Sequence, residues 1–424
     1  MRLLFLTHRL PYPPYKGEKI RALNILKFLA VRHDLYLASL VDDKNDLRSV
    51  SQFRPYTRKV VVKRSHPRVD KVLALSALWN REAISSRYFY SRALQRQIDD
   101  LIDRESIEGV FCSSSPMAEY VFRSRHAARL RTIPKIMDLI DVDSVKWREF
   151  AEESWFAAAW LYRREANYIA SLERRVGCEF DHLLLVSDAE AKCLDQCFPG
   201  RVMAVSNGVD LEYFVPREIP EGCENERALV FTGVMDYRPN VQGICWFAEE
   251  VLPQIRANIP DARLYIVGNH PARAVRRLGD VPGVVVTGFV PDIRDYVSRG
   301  VCIAPLRIAR GIQNKVLEAM AMGRPIVVTP QAYEGIDAEP ERDLCVARDG
   351  KEFADKTVQL LNDPQRARAI GLAARKRVEE RYSWGENLRV LEQLLPQQAE
   401  STLEAGHSSR CMLSVEPESV PRVS

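Results

Sequence analysis

The chain has 424 residues, 46% of them apolar and 28% charged, and a formal net charge of +4 at pH 7. That length exceeds one typical core and points to two domains plus additions, and the composition is that of an ordinary soluble protein with material for buried sheets and a wet surface. No run approaches the roughly 20 apolar residues of a membrane span, and Leu3–Leu6 is too short for a signal-peptide core, so it reads as a buried first strand.

The charge is uneven. Residues 1–210 carry 34 Lys/Arg against 27 Asp/Glu, and the remainder 27 against 30. Most of the excess lies in residues 44–135, with 19 basic against 9 acidic, including the runs at 61–68 and 122–135. Such a surface attracts polyanions or anionic lipid, although solvated helix faces satisfy the same counts. It lacks a recognisable nucleic-acid-binding motif, so no nucleic-acid partner is expected. The nine cysteines are scattered and read as reduced thiols of a cytoplasmic protein. Cys193 and Cys197, four apart on a probable helix, suit a core better than a metal site.

The first strand runs into HRLPYPPYKGE, residues 8–18, where three prolines forbid a helix and Gly17 permits close backbone approach. Ile20, Leu23, Leu26 and Ala30 then recur at helical spacing, and residues 35–41 form another apolar strand. Strand, glycine loop, helix, strand begins a doubly wound sheet. Residues 60–62 and 109–114 are further strands. The aromatic run 87–92, RYFYSR, alternates with arginines and suits a packed helix edge or a membrane or acceptor contact.

In KIMDLIDVDSVKW, residues 135–147, a strand runs into Asp138, Asp141 and Asp143, where open sheets bind ligands. Asp141 is the candidate for acid–base work or for positioning an acceptor hydroxyl, being short, anionic at neutral pH and able to accept a proton; Asp138 is a candidate cleft residue. A helix cap suits Asp143 or Ser144. Asp141-x-Asp143 could hold a divalent metal, but Lys315 and a helix N-terminus already supply positive potential, so no metal is expected. A long helix follows at 154–176, then a strand at 181–187, whose Ser187 and Glu190 form a capping box. Asn207-Gly208 is by itself a turn.

Residues 215–227 combine prolines, a glycine and many charges without periodicity, and read as an interdomain linker. A buried strand then leads into Gly233 and a polar loop with Arg238, whose guanidinium matches phosphate geometry. Helix at 241–258 and strands at 263–268, 284–290, 301–306 and 343–347 continue the alternation, which argues a parallel sheet covered on both faces. Within it, ARGIQNKVLEAMAMGRPIVVT, residues 309–329, reads as loop, helix over 313–322 and strand. Gly311 frees the backbone before the helix, and Gly323 with Pro325 ends it. Lys315 and Glu318 share a face near the helix start, where N–H groups favour an anion. A lysine for phosphate and a carboxylate for two neighbouring hydroxyls describe a nucleotide sugar. A solvent-facing Lys–Glu pair has the same spacing.

The stretch containing EAMAMGRPIVVT resembles the signature of the family 4 retaining glycosyltransferases, with Glu318 at their second glutamate. The family places another glutamate eight positions earlier, where this chain has Arg310. NGVD at 207–210 and Arg381-Tyr-Ser-Trp384 also match family motifs. THRLPYPPYKGEKIR, DVDSVKW and FTGVMDYRPN extend the likeness to a bacterial subgroup making exopolysaccharide in gene clusters associated with PEP-CTERM sorting.

The resemblance implies an α/β protein of GT-B architecture, two Rossmann-like domains with parallel sheets facing across a cleft. Residues 1–214 would form the acceptor-side domain, 215–227 the linker and 228–381 the nucleotide-sugar-binding domain. Residues 382–396 would be a helix crossing back, and 397–424 a disordered tail. The implied reaction moves a sugar from a nucleotide diphosphate donor to a glycan or lipid-linked glycan, with retention and without metal or other cofactor. Glu318 would hold the ribose; Lys315, Arg238 and the backbone near Gly311 and Gly233 would stabilise the diphosphate; Gly288 would lie near the base. Gly17 and Asn207 would face the cleft. The protein would be cytoplasmic, peripheral on the inner face of the plasma membrane through residues 44–135. A nucleotide-sugar epimerase, or a non-catalytic nucleotide-sugar-binding subunit of a glycan assembly complex, are the alternatives on the same fold.

Overall fold

The computed structural model describes residues 1–223, 225–309 and 311–395. Arg310 and the expected tail, 397–424, therefore lie outside the described residues. Two all-parallel sheets dominate. The first holds β1 (Arg2–Thr7), β2 (Asp34–Val41), β3 (Lys59–Arg64), β4 (Gly109–Ser113), β5 (Lys135–Ile140), β6 (His182–Leu185) and β7 (Val202–Ala204), in the order β3-β2-β1-β4-β5-β6-β7. The second holds β8 (Ala228–Thr232), β9 (Arg263–Val267), β10 (Val284–Gly288), β11 (Val301–Ala304), β12 (Ile326–Val328) and β13 (Cys345–Val346), in the order β10-β9-β8-β11-β12-β13.

Helices cover both faces of each sheet, so the central strands are buried almost end to end and carry continuous apolar runs, RLLFLT in β1 and ALVFT in β8. Phe5 and Phe111 stack across β1 and β4 with centroids 4.9 Å apart. In both sheets the strand order reverses at the first strand, β1 or β8, and such switch points open crevices at the strands' carboxyl ends. His8 and Gly233 each stand one residue beyond those strands.

Three local expectations are corrected. The helix expected over 241–258 is Arg238–Trp246, a π segment Phe247–Val251 and Leu252–Asn258; Pro253 has no N–H to donate and crowds the carbonyl four residues back, so the ladder widens there. Cys193 and Cys197 are exposed, because the Asp188–Asp195 helix buries its Glu190 and Leu194 side instead. The Asp143–Glu152 helix has Val142 at its N-cap with no side-chain cap from Asp143 or Ser144; Glu190 and Glu173 accept from the N–H groups of Val142 and Ser144, at 2.7 and 3.0 Å.

The domains are tied at the chain's end. Leu388, Leu391 and Leu394, on the short helices after Tyr382, pack with Leu3, Phe5 and Leu23 of the first domain. Gly208 makes this approach feasible, since a Cβ there would stand 2.7 Å from the Trp384 nitrogen. Arg375 donates to the carbonyls of Phe214 and Ala321 at 2.6 Å, fixing the start of the linker to the second domain.

Candidate active site

On the second-domain wall, β8 delivers the chain to Gly233 and the Asn314–Ala321 helix presents Lys315 to it. A Cβ at Gly233 would lie 2.7 Å from Asn240 Nδ2 and 3.1 Å from Lys315 Nζ, so only glycine lets these groups approach the backbone. Lys315 Nζ donates to Asn240 Oδ1 at 2.6 Å and stands 4.5 Å from the centre of the Phe231 ring. Asn240 in turn donates to the Val234 carbonyl at 2.9 Å. Burial pushes the Lys315 ammonium down to about 7, with Glu318 opposing. A lysine lowered toward neutrality at a helix start is poised to take up an anion.

Glu318, one turn on, is buried and lines the seam between the domains with Gly208, Asp210, Asn314 and Trp384. Gly288 ends β10 at φ +68°, with open space where a side chain would be; Phe289 beside it is exposed and Val290 is core. Arg238 is brought to the first domain. Its guanidinium lies 3.6 Å from Glu153 Oε2 and over the Phe150 ring, spanning the cleft mouth. Asn240 is the residue that meets Lys315.

The first-domain wall is built from the ends of β1, β4 and β5. Ile140 adopts φ +72° where the β5–β6 register shifts, and this kink turns Asp141 out of the strand. Asp141 Oδ1 is buried without a hydrogen-bond partner among the described residues. Burial, with Glu190 and Asp143 nearby, pushes its carboxyl up to about 6 against the pull of Lys146. Burial works to lower Lys146, but Tyr237, Asp143, Asp141 and Glu18 outweigh it and raise it. Across the cleft is Gly311, at φ +63°, where a Cβ would lie 2.5 Å from Asp141 Oδ1. His8 is also buried. Its Nδ1 has no partner among the described residues, and burial first, then Arg9, push it down to about 4.

Asp138 is corrected from cleft residue to core ion pair. It is fully buried and bound by Arg21, itself fully buried, through Nε at 2.9 Å and Nη2 at 2.8 Å. Arg21 Nη1 also donates to the Val205 carbonyl at 2.7 Å and to Asn207 Oδ1 at 3.0 Å. That orients Asn207 so that its Nδ2 donates across the cleft to Asn314 Oδ1 at 3.3 Å. Gly17 faces the same contact, its absent Cβ 3.5 Å from Asn314 Nδ2. Asn240, Asn314, His8 and Lys146 escaped the sequence reading. Asn240 and Lys146 closed or lay inside motifs already noted, DYRPN and DVDSVKW, but a single asparagine or lysine in the first turn of a helix carries no chemical signature of its own. Among the described residues no group of three or more His, Cys, Asp or Glu could hold a metal ion.

Residues 226–363 match the family described as Glycosyl transferases group 1. A GDP-mannose-dependent monoacylated α-(1-6)-phosphatidylinositol monomannoside mannosyltransferase from Corynebacterium glutamicum is 26% identical over 249 residues, 53% of this chain. The match spans 65% of that relative's length, less than two thirds. An uncharacterized 44.6 kDa protein in the cps region of Klebsiella pneumoniae is 22% identical over 287 residues, 64% of this chain and 70% of its own. Among solved structures, a sucrose-phosphate synthase from Thermosynechococcus elongatus superposes with TM-score 0.70 at 18% identity, covering 93% of this chain and 98% of its own. Anabaena HepE in complex with UDP gives 0.64 at 15% identity, covering 93% and 99%. These likenesses are of fold, the GT-B arrangement of two Rossmann-like domains. The group 1 match lies on the second of the two Rossmann-like domains.

Proposed function

We propose that this chain transfers a sugar, with retention, from a nucleotide diphosphate donor to a hydroxyl of a glycan or lipid-linked glycan in bacterial exopolysaccharide biosynthesis, with no metal or other cofactor. The observation that carries the reading is Lys315 held against Gly233 by Asn240, at the start of a helix inside the group 1 domain. The donor's diphosphate sits at that start. Lys315, protonated on binding, and nearby backbone N–H groups stabilise charge as the C1–phosphate bond breaks, where each well-placed donor contributes on the order of 3 kcal/mol. Glu318 accepts from the ribose hydroxyls. The acceptor oxygen forms the new C1–O bond on the face the phosphate leaves, and its proton passes to Asp141 or the departing phosphate oxygen. Domain closure at Asp141 and Gly311 keeps water from the activated sugar.

Related proteins support the donor and acceptor classes. The Anabaena protein is described in complex with UDP and with UDP-glucose, the Corynebacterium relative is GDP-mannose-dependent and acts on a phosphatidylinositol mannoside, and the Klebsiella relative lies in a cps region. The test is a thermal-shift panel of UDP, GDP, ADP and dTDP sugars on the wild type and Glu318→Ala, followed by transfer assays with the stabilising donor. Stabilisation by one nucleotide family, lost in Glu318→Ala and followed by product with acceptor, is expected. Isomerisation of the donor without acceptor would replace the reading with an epimerase, and binding without any turnover with a non-catalytic subunit.

A further inference from the structure

We propose that one end of the first domain docks on an anionic lipid bilayer through Trp79, Trp155, Phe156 and Trp160. These side chains are 81%, 76%, 88% and 60% exposed, where an aromatic of this size ordinarily buries most of its surface. Two elements carry them. The Pro67–Ala74 helix passes through the turn Leu75–Leu78 into Trp79, and Trp155 and Phe156 begin the Phe156–Glu179 helix. The two are joined: Arg164 donates to the Ala77 carbonyl, and Glu165 accepts from the N–H groups of Ile84 and Ser85 at 2.7 and 2.8 Å. Trp160 lies one turn before Arg164 on the same helix face. Val69 and Leu73, four apart on the shorter helix, are exposed as well.

The charges name the occupant. Residues 63–81 contain five Lys/Arg and one Asp, and Arg163 is exposed on the Phe156–Glu179 helix, whose Arg164 is taken up by the Ala77 carbonyl. Tryptophans seat at membrane–water interfaces, and flanking cations are drawn to anionic headgroups. A second copy of this chain meeting the same patch about a two-fold axis would set basic residues against basic residues. The location differs from the whole basic stretch 44–135. In the 122–135 run, Arg123 is engaged by Glu82 and Glu119, and Arg125 by Asp100 and Asp103. Phe89 and Tyr90 of the 87–92 run are packed on His8 and Tyr120. Glu153, two residues before Trp155, pairs with Arg238 of the second domain, so the surface adjoins the mouth of the cleft. This deepens the reading of a lipid-linked acceptor, which would reach the site from the bilayer. Among the described residues no helix is long and apolar enough to cross a membrane, so the contact is one of lying on the surface.

The test uses the full chain and vesicles of phosphatidylcholine with or without phosphatidylglycerol, read by sedimentation and tryptophan fluorescence. The wild type is expected to sediment with the anionic vesicles, with a blue-shifted emission, and less with phosphatidylcholine alone. The triple variant Trp155→Ser, Phe156→Ser, Trp160→Ser is expected to partition at least tenfold less while keeping its melting temperature and its shift by the donor nucleotide. Absence of wild-type binding to anionic vesicles, or undiminished binding of the folded triple variant, overturns the proposal. So does a concentration-dependent dimer abolished by the same substitutions. Vesicle binding is read without turnover, so its failure leaves the transferase reading standing, and failure of turnover leaves the docking surface standing.

Discussion

Asp141 and Gly311 meet across the cleft so closely that a methyl group on Gly311 would lie 2.5 Å from Asp141 Oδ1 and 2.8 Å from Val186 Cγ1. Gly311 also sits at φ +63°, a conformation that costs a residue with a Cβ about 1–2 kcal/mol. Gly311→Ala is therefore expected to hold the domains apart. The melting temperature should fall by a few degrees, and kcat/KM for transfer by tenfold or more, with nucleotide affinity changed less. Equal turnover by wild type and variant would mean that this contact is not part of the reactive state.

Lys315 makes a prediction about protons. Burial lowers its ammonium to about 7 from the usual range near 10.5, so at pH 8 most of the free protein carries a neutral Lys315. A diphosphate favours the charged form, and calorimetry of nucleotide binding at pH 8 in buffers of different ionisation enthalpy should show uptake of close to one proton. Lys315→Met should abolish it. The same shift has a stability consequence. Below pH 7 both folded and unfolded chains hold the proton and the full penalty of burying it applies; between pH 7 and about 10.5 the unfolded chain holds more protons, so stability rises with pH. Lys315→Met should thus raise the melting temperature at pH 6 more than at pH 9. Equal changes at both values would show that the ammonium is not strained.

What the sequence disclosed follows the range of the interactions. The runs in β1, β8 and β11 are legible because a strand buried on both faces needs consecutive apolar residues. The Lys315 helix is legible because Gly311 and Gly323 bracket it within a dozen residues. Asn240, which positions Lys315, lies 75 residues away, and only the fold brings the two together. Asp138 and Asp141 read alike, three apart at one strand end. The kink at Ile140 separates them, leaving Asp138 on the layer where Arg21 is buried and carrying Asp141 to the cleft.

The Arg21–Asp138 pair should behave as a buried ion pair whose halves cannot be removed singly. Asp138→Asn or Arg21→Met strands one charge in the core, at a cost of about 3–5 kcal/mol. Denaturant unfolding should show a lower midpoint for the first domain. Arg21→Lys should rescue little, since an ammonium cannot serve Asp138, the Val205 carbonyl and Asn207 with the same planar fork. Near-wild-type stability of Arg21→Lys would place the value of this site in charge alone.

Asp141→Asn separates chemistry from stability. The carboxyl is raised to about 6 from about 4 by burial in company with Glu190 and Asp143. Below pH 4 it is protonated in both folded and unfolded chains, and the neutral form fits its surroundings. Between about pH 4 and 6 the unfolded chain is the more ionised, so stability is lost as pH rises across that window, and above pH 6 the full penalty persists. Asparagine has the same shape without the charge. The variant should therefore melt higher than wild type at pH 8 and equally at pH 4, while transfer falls by about 10²-fold if the carboxylate takes the acceptor's proton. Donor affinity should stay within about twofold, because Lys315 and Glu318 are untouched. A variant that is both more stable and fully active would reduce Asp141 to a strained neighbour of Gly311 and return the acceptor's proton to the departing phosphate.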